Sequence, residues 1–189
     1  MRFNPIFFGL KQKDKDGNLA IHSACENNAP NDKVILKMID LYPDSLRRKD
    51  KDGNTPLHSF IENPSQINNR EKVIGVMVKE YEGALAEKDR DKNLPIHSAL
   101  AQGKKISIEG IKALLVNRES LLKPNPRGNI PFHQAFNMAG KKLDHKAHAI
   151  LYANPSVLTI SDKCYGKYCY FLHWAIGNKK KDLLKLCLE

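Results

Sequence analysis

The amino-acid sequence predicts an all-α repeat solenoid, built from stacked helix-turn-helix units that are joined by turn or hairpin connections. Three observations predict this fold class. One phrase recurs five times along the 189 residues, and the histidines near the end of its copies lie 36, 39, 36 and 40 residues apart. Turn-forming residues open each clear copy. Apolar residues at helical spacing follow, as in proteins made of short amphipathic helices.

The recurring phrase is clearest in its first three copies, which we take as the starts of the first three units. They are Asp14-Lys-Asp-Gly-Asn-Leu-Ala-Ile-His22, Asp50-Lys-Asp-Gly-Asn-Thr-Pro-Leu-His58 and Asp89-Arg-Asp-Lys-Asn-Leu-Pro-Ile-His97, and weaker copies end at His133 and His173. Asp and Asn side chains bond nearby backbone groups and Gly accepts positive φ, so each phrase predicts a chain reversal. A proline at positions 56, 95 and 131 then suits the first turn of a helix.

A second amphipathic helix is predicted in each of the first four units, from apolar residues at i, i+3 and i+4 spacing. Its apolar positions are Val34, Ile35, Met38 and Ile39, then Val73, Ile74, Met77 and Val78, then Ile111, Leu114 and Leu115, and finally Ile150 and Leu151. A closing phrase with a leucine at a fixed place follows, at Leu46, Leu85, Leu121 and Leu158. We expect the second unit to have a long connection between its helices, at residues 62–70.

We assign residues 1–13 to an N-terminal cap segment and residues 14–189 to the repeat domain. The repeats cover about 14–49, 50–88, 89–124, 125–161 and 162–189. A single unit of this kind cannot bury its apolar helix face, so neighbours share one core. We expect the apolar residues Phe3, Phe7, Phe8 and Leu10 to cover the first unit. At the other end, the last helix is either a terminal cap or the point where a longer protein continues.

The tetrapeptide Thr55-Pro-Leu-His58, placed after its turn and at the head of a first helix, resembles the signature of the ankyrin repeat. The resemblance covers residues 14–189, with five divergent copies that are longer than the family's usual period of about 33 residues. It implies that the repeat histidine bonds the turn and the helix start. It also implies a non-catalytic protein–protein interaction module, acting as an adaptor, scaffold or effector in the cytoplasm of a cell or of a host, with the nucleus as an alternative.

The ankyrin family binds protein partners on a concave face made of turn tips and first helices, and we expect this chain to bind its partner there as a monomer. The matching positions in this sequence are Lys15, Glu26, Asn27, Lys51, Glu62, Asn63, Arg90, Ala101, Gln102, Arg127, Asn137, Met138, Lys167 and Asn178. The asparagines that follow the Gly position, such as Asn18 and Asn54, are assigned to the turn itself.

Positive charge is concentrated in the second half of the chain. Residues 1–94 hold 16 basic and 15 acidic side chains, whereas residues 95–189 hold 15 basic and 6 acidic ones, a net +9. Seven lysines of that half fall in the connections between first and second helices. They form a predicted lysine ridge of Lys104, Lys105, Lys141, Lys142, Lys179, Lys180 and Lys181. Two interpretations stay open: the ridge only keeps the protein soluble, or it docks a protein partner with an acidic surface.

A second function class uses the same ridge to bind phosphate groups of nucleic acid or of an anionic membrane. We favour the protein partner, because no aromatic side chains interleave with the lysines for base stacking. No amphipathic basic helix is evident either. No run of roughly 18 to 20 apolar residues predicts a membrane span, and we expect no signal peptide at the N-terminus.

The fifth unit contains zinc-type side chains at Cys164, Cys169, His173 and Cys187. Their spacing matches no common zinc module, so reduced thiols are favoured, with zinc or a disulfide as the alternatives. The motifs of phosphate loops, dinucleotide sites, zinc proteases and serine hydrolases are absent from the sequence. We therefore assign no catalytic residue, no metal and no cofactor. His145 and His148 are expected to form a surface pair, and Cys25 is expected to lie in the core.

Overall fold

The computed structural model describes residues 8–63, 65, 69–139, 144–162 and 169–170. The all-α prediction is confirmed for these residues. Their α-helices are α1 Ala20–Glu26, α2 Asp32–Leu41, α3 Pro56–Glu62, α4 Arg70–Glu80, α5 Pro95–Ala101, α6 Ile108–Leu114, α7 Pro131–Met138 and α8 His145–Ala153. One antiparallel pair of two-residue strands, β1 Ser161–Asp162 and β2 Cys169–Tyr170, accompanies them. No helix in the described ranges is long and apolar enough to cross a membrane.

The chain forms two compact units, Met1–Asn117 and Arg118–Glu189. In the first unit, α1 packs against α3 and α3 against α5, while α2 packs against α4 and α4 against α6. The helices also pack in sequential pairs, with α1 on α2, α3 on α4 and α5 on α6. Fully buried apolar side chains such as Ile35, Phe60 and Ile74 fill the space between these helices. The six helices α1 to α6 therefore share one core in this unit.

The apolar face of α2 is narrower than the sequence predicts. Ile35 and Ile39 are buried, but Val34 is 45% exposed. Val34 lies at the start of the helix, where its backbone N–H is bonded by the side chain of Asn31. The residues Val73, Ile74, Met77 and Val78 on α4 are all buried, as predicted. The difference arises because α4 is covered by helices on both sides, α2 and α6, whereas α2 has one such neighbour among the described helices.

The helices begin where the sequence predicts, and the closing phrases form short 3₁₀ helices. Prolines 56, 95 and 131 occupy the first positions of α3, α5 and α7. The side chains of Asn31, Ser107 and Asp144 accept backbone N–H groups at the starts of α2, α6 and α8. Each closing phrase forms a short 3₁₀ helix, at Pro43–Arg47, Glu82–Ala86, Ser120–Leu122 and Pro155–Thr159. The predicted leucine is buried in the first three of these helices, whereas in the fourth Val157 is the buried residue.

The four described turns use one set of hydrogen bonds. In the first turn, the N–H of Asp14 donates to the carbonyl of Asn18 at 2.9 Å, and Oδ1 of Asp14 accepts the N–H of Asn18 at 2.9 Å. The turns that begin at Asp50, Asp89 and Asn125 repeat both bonds. The fourth residue of each turn has positive φ. Glycine holds that position in three turns, and Lys92 holds it in the third turn with φ of 60°.

Arg70 organises the long connection between α3 and α4, which lies where the sequence predicts it. Its guanidinium is buried and donates to the carbonyls of Phe60 at 3.1 Å, Ile61 at 3.3 Å and Asn63 at 3.0 Å, and also to that of Ser65. The last carbonyls of a helix have no partner within the helix and carry a partial negative charge. A single arginine side chain therefore caps α3 and fixes the chain that leaves it.

In the second compact unit, α7 packs against α8, and the 3₁₀ helix Ser120–Leu122 packs against both α7 and the 3₁₀ helix Pro155–Thr159. Phe132 and Phe136 are fully buried, with their rings stacked at 6.3 Å between centroids. The side-chain amide of Asn154 donates to the carbonyl of Arg118 at 2.9 Å. These contacts give the second unit an apolar core of its own.

The predicted N-terminal cap is described only from residue 8 onward. Leu10 is buried, at 9% exposure, whereas Phe8 is 55% exposed. Lys13 forms an isolated bridge with Leu19 at the base of the first turn. Phe3 and Phe7 lie outside the described residues. Leu10 therefore contributes to the core of the first unit. The prediction is wrong for Phe8, whose side chain is mostly exposed, and for Phe3 and Phe7 the capping role stays a prediction.

Replacing Lys92 by glycine should stabilise the protein by about 1 kcal/mol, because a side chain in the left-handed region costs roughly 1–2 kcal/mol. The reciprocal control is Gly53→Ala, since a Cβ at that glycine would have no atom within 4 Å and its φ is +84°. This control should destabilise by a similar amount through backbone conformation alone. Urea unfolding of the two variants measures both changes, and equal midpoints for Lys92→Gly and wild type would contradict the assignment.

Replacing Arg70 by methionine should destabilise the protein by about 2–3 kcal/mol, because it removes every donor to the buried carbonyls at the end of α3. Lys72→Met is the matched control, since Lys72 is an exposed residue of the same helix. This control should change stability by less than about 0.5 kcal/mol. Thermal unfolding of both variants compares them, and similar midpoints would show that Arg70 is not the cap.

Candidate functional site

The repeat histidines are buried and bond the starts of their helices, as the resemblance implies. Nδ1 of His22 accepts the backbone N–H of Leu19 at 3.2 Å, and Nδ1 of His97 accepts that of Leu94 at 3.4 Å. In the second repeat, Nδ1 of His58 lies 2.9 Å from Oγ1 of Thr55. A backbone N–H can only donate, so Nδ1 carries no proton and the ring is neutral.

The first histidine also reaches the end of its own repeat, just before the second turn. Nε2 of His22 lies 3.2 Å from the carbonyl oxygen of Arg48. Because Nδ1 is an acceptor, the proton of the neutral ring is on Nε2, which donates to that carbonyl. Burial lowers the pKa of His22, and it lowers the pKa of His58 to about 4. These imidazoles are therefore structural groups that stay neutral near pH 7.

A second set of side chains links α1 to α3 and α3 to α5. The hydroxyl of Ser59 donates to Oε1 of Glu26 at 2.9 Å. One repeat later, the hydroxyl of Ser98 donates to Oε1 of Glu62, also at 2.9 Å. Glu26 and Glu62 belong to the set that the resemblance assigns to a partner. The structure shows that each of them also bonds the following repeat.

The turn tips are joined by ion pairs. Nζ of Lys51 lies 2.8 Å from Oδ1 of Asp16, and Nη1 of Arg90 lies 4.0 Å from Oδ2 of Asp52. In both cases the basic residue of one tip meets the acidic residue of the preceding tip. All four side chains are exposed enough to be screened by solvent, so each pair contributes little to stability. The pairs place Lys51 and Arg90 beside the preceding tip. Lys15 is an exposed residue of the first tip.

The remaining candidate residues fall into four groups. Gln102 is half-buried at the end of α5, where its backbone N–H donates to the carbonyls of Ser98 and Leu100. Arg127 and Met138 are exposed in the second compact unit. Lys104 and Lys105 are exposed in the 3₁₀ helix Gly103–Lys105. Six lysines lie outside the described residues: Lys141, Lys142, Lys167, Lys179, Lys180 and Lys181.

The structure corrects the prediction for Asn63, which the sequence places among the partner-binding positions. It was predicted to be an exposed contact position, but it is only 4% exposed. Its side-chain amide donates to the carbonyls of Cys25 at 2.6 Å and Asn27 at 2.9 Å. These carbonyls belong to the end of α1 and need a donor. Asn63 is therefore a cap that joins the first two repeats, and it is not available to a partner.

The metal-type residues are only partly described. Cys25 is fully buried with a free thiol whose pKa is raised by burial, in agreement with its predicted place in the core. His145 and His148 are both exposed on α8, as expected. Within the described ranges, no three His, Cys, Asp or Glu side chains are grouped to hold a metal ion. Cys164, His173 and Cys187 lie outside those ranges, and of Cys169 only the backbone is described.

The sequence analysis does not predict two features of the first compact unit. One is the cap formed by Arg70, which follows an irregular connection and carries no sequence signature. The other is the link between a glutamate four residues after one repeat histidine and a serine directly after the next, seen in Glu26 with Ser59 and Glu62 with Ser98. This second feature has a signal, because both residue types recur at fixed places in the phrase.

Comparison with known proteins adds no relative. No protein-family model matches the chain, and no curated protein matches it significantly.

His58→Ala should destabilise the protein by about 1–3 kcal/mol at pH 7, whereas His145→Ala should stay within about 0.5 kcal/mol. The first ring is fully buried and bonds Thr55, and the second is exposed. Urea midpoints of the two variants test the difference, and equal midpoints would make the structural role of His58 untenable.

The same histidine should make wild-type stability fall in acid. The unfolded chain takes up a proton near pH 6.5, whereas folded His58 does so only near pH 4. Stability from this group is therefore complete above pH 6.5, and about 2 kcal/mol of it is lost between pH 7 and pH 5. His58→Ala should show a correspondingly smaller loss over this interval.

Proposed function

We propose that this protein is a non-catalytic interaction module of the ankyrin type, which binds a protein partner through the turn tips and first helices of its stacked repeats. We further propose that it acts as a monomer in the cytoplasm, as an adaptor, scaffold or effector. One observation carries the proposal most directly. The helices α1, α3 and α5 pack side by side, and their turn tips are tied to one another by ion pairs.

This arrangement supports binding because it presents an ordered surface before a partner arrives. The links from Glu26 to Ser59 and from Glu62 to Ser98 hold the first helices in register. A partner that meets such a surface loses less conformational freedom on binding than one that must order loops. Exposed tip residues such as Lys15 and Arg90 supply polar contacts around it. The repeated fold is thus suited to recognition of an extended protein surface.

A phosphate-directed function is the alternative, and the exposed pair Lys104 and Lys105 favours it. No described acidic side chain forms an ion pair with either lysine. These two residues begin the predicted lysine ridge in the more basic half of the chain. Binding of nucleic acid or of an anionic membrane would depend steeply on salt, because phosphate contacts release counterions. A protein interface of complementary shape depends on salt much less.

The test uses the full chain as bait for affinity capture, followed by surface-plasmon kinetics with the captured protein. Arg90→Ala combined with Gln102→Ala should raise the dissociation rate about tenfold, if those side chains are anchors of the interface. Changing Lys104, Lys105, Lys141 and Lys142 to Glu should mainly slow association with an acidic partner. Lys72→Ala combined with Lys112→Ala is the matched control, since both lysines are exposed on second helices.

Unaltered dissociation of the Arg90 and Gln102 variant would move the site off the turn tips and first helices. A strong salt dependence, together with binding to nucleic acid or anionic vesicles that the four-lysine variant abolishes, would support the phosphate-directed alternative instead. Unaltered association of that variant with every ligand would leave the lysines as solubilising residues.

A further inference from the structure

Two carboxyl groups of neighbouring repeats share one hydroxyl in the first compact unit. Oγ of Ser98 on α5 lies 2.9 Å from Oε1 of Glu62 at the end of α3. The same oxygen lies 3.2 Å from Oδ2 of Asp89 in the turn before α5. Asp89 and Ser98 are each 5% exposed, and Glu62 is half-buried. The three side chains therefore form a cluster at the contact between the second and third repeats.

Counting protons shows which form of this cluster is stable. A serine hydroxyl carries one proton and donates one hydrogen bond at a time, and ionised carboxylates only accept. With both carboxyl groups ionised, the Ser98 hydroxyl can donate to only one of them. The other carboxylate oxygen then faces a lone pair of Oγ with no proton between them. One further proton on a carboxyl group makes both contacts hydrogen bonds. Carboxyl groups that share a site commonly hold one proton between them for this reason.

We propose that Glu62 and Asp89 share one proton through the hydroxyl of Ser98, and that this latch between the second and third repeats loosens when the proton leaves. With Glu62 ionised, the Ser98 hydroxyl donates to Glu62. In the closed latch this bond is reversed: the protonated Glu62 carboxyl donates to Oγ of Ser98, and the Ser98 hydroxyl donates to Oδ2 of Asp89. Asp89 is the ionised partner because its Oδ1 accepts the backbone N–H of Asn93 at 2.8 Å. A hydrogen bond of this kind stabilises the charged form of a carboxyl group.

The surroundings of Glu62 agree with this assignment. Burial raises the pKa of Glu62, and the nearby charge of Asp89 raises it further. The hydrogen bond from Ser98 and the guanidinium of Arg90 act in the opposite direction, and the net shift is upward. Arg90 is itself exposed and lies near two aspartates, Asp52 and Asp91.

The other ionisable groups on helices packed against α3, and on α3 itself, either have partners of their own or are exposed on α4, as Glu71, Lys72, Lys79 and Glu80 are. Glu26 on α1 accepts from Ser59, and Arg70 on α4 donates to backbone carbonyls. The histidines on these helices are His22, His58 and His97, and each has Nδ1 facing a donor at the start of its own helix. The 3₁₀ helix Pro43–Arg47 has Asp44 and Arg47, which pair with each other. Burial and Asp89 are therefore the two causes that raise the pKa of Glu62.

The chain contains its own control for the latch. Between the first and second repeats, Ser59 donates to Glu26, and among the described residues no second carboxyl group shares that hydroxyl. In the fourth repeat the equivalent residues are neutral, and the amide of Asn125 donates to Oε1 of Gln134 at 3.3 Å. Oδ1 of Asn125 still accepts the N–H of Asn129 at 3.0 Å. An asparagine is thus compatible with this turn.

The pH dependence follows from the direction of the Glu62 shift. The folded protein holds the proton at a pH where an unfolded glutamate, with a pKa of 4.5, has lost it. Stability from this group therefore falls as pH rises from 4.5 through the raised pKa, and it is constant above. The latch is closed in acid and opens toward higher pH. This direction is opposite to that of the repeat histidines, so the two effects can be separated.

The experiment follows the side-chain carboxyl carbons of Glu62 and Glu26 by ¹³C NMR in the full chain between pH 3 and pH 9. Glu62 should titrate above pH 4.5, the value of an unfolded glutamate. Asp89→Asn should lower the Glu62 midpoint, because the amide donates to Ser98 and leaves its hydroxyl free for an ionised Glu62. Urea unfolding at each pH should show Glu62→Gln gaining stability over wild type as pH rises, whereas Glu26→Gln should follow wild type. Each unit of pKa shift corresponds to a tenfold change in the ratio of unfolding constants.

Titration of Glu62 at or below pH 4.5 would overturn the proposal. An unchanged Glu62 midpoint in Asp89→Asn would also overturn it, because Asp89 would then not share the proton. If that variant does not fold, the wild-type titration and the comparison of Glu62→Gln with Glu26→Gln decide the question. A constant difference in stability between Glu62→Gln and wild type at every pH would rule out the latch.

Discussion

The first helices of the repeats depend on a neutral, buried histidine at their third residue. The helices α1, α3 and α5 have only seven residues each, and isolated helices of that length are not stable in water because nucleation is costly. In each of them, Nδ1 of the histidine accepts the backbone N–H of the residue just before the helix, which has no partner within the helix. The rings of His22, His58 and His97 are at most 1% exposed. No solvent molecule can take over that role, so the helix start and the burial of the ring form together.

Contacts between successive helix pairs follow from this fixed start. Once the turn and the first helix are locked together, side chains at the same place in successive repeats come within reach of each other. The link from Glu26 to Ser59 recurs as that from Glu62 to Ser98, and the pair of Asp16 with Lys51 recurs as that of Asp52 with Arg90. Two of the residues assigned to partner binding, Glu26 and Glu62, therefore also bond the next first helix. A partner would meet side chains that are already ordered.

Two proton equilibria act on α3 in opposite directions. His58 must stay neutral to accept its hydrogen bond, whereas Glu62, one turn further along the helix, is held toward its protonated form by burial and by Asp89. In both cases the uncharged form is the one that fits a site with little water. This region thus combines two groups with opposite effects on stability. Protonation of His58 destabilises the fold in acid, whereas ionisation of Glu62 destabilises it toward higher pH. At the equivalent contact between α1 and α3, no second carboxyl group among the described residues shares the hydroxyl of Ser59 with Glu26.

The sequence by itself determined the helical class, the turns and the places where helices begin, because these depend on local chemistry that repeats along the chain. Asp14 and Gly17 define a turn wherever they occur, and Pro56 and His58 define a helix start. Only the tertiary structure decided that Asn63 is a buried cap and that Arg70 bonds the end of α3. Only it brought Glu62, Ser98 and Asp89 together. These contacts join residues from different helices, turns or connections, and their partners are set by packing geometry that no local pattern encodes.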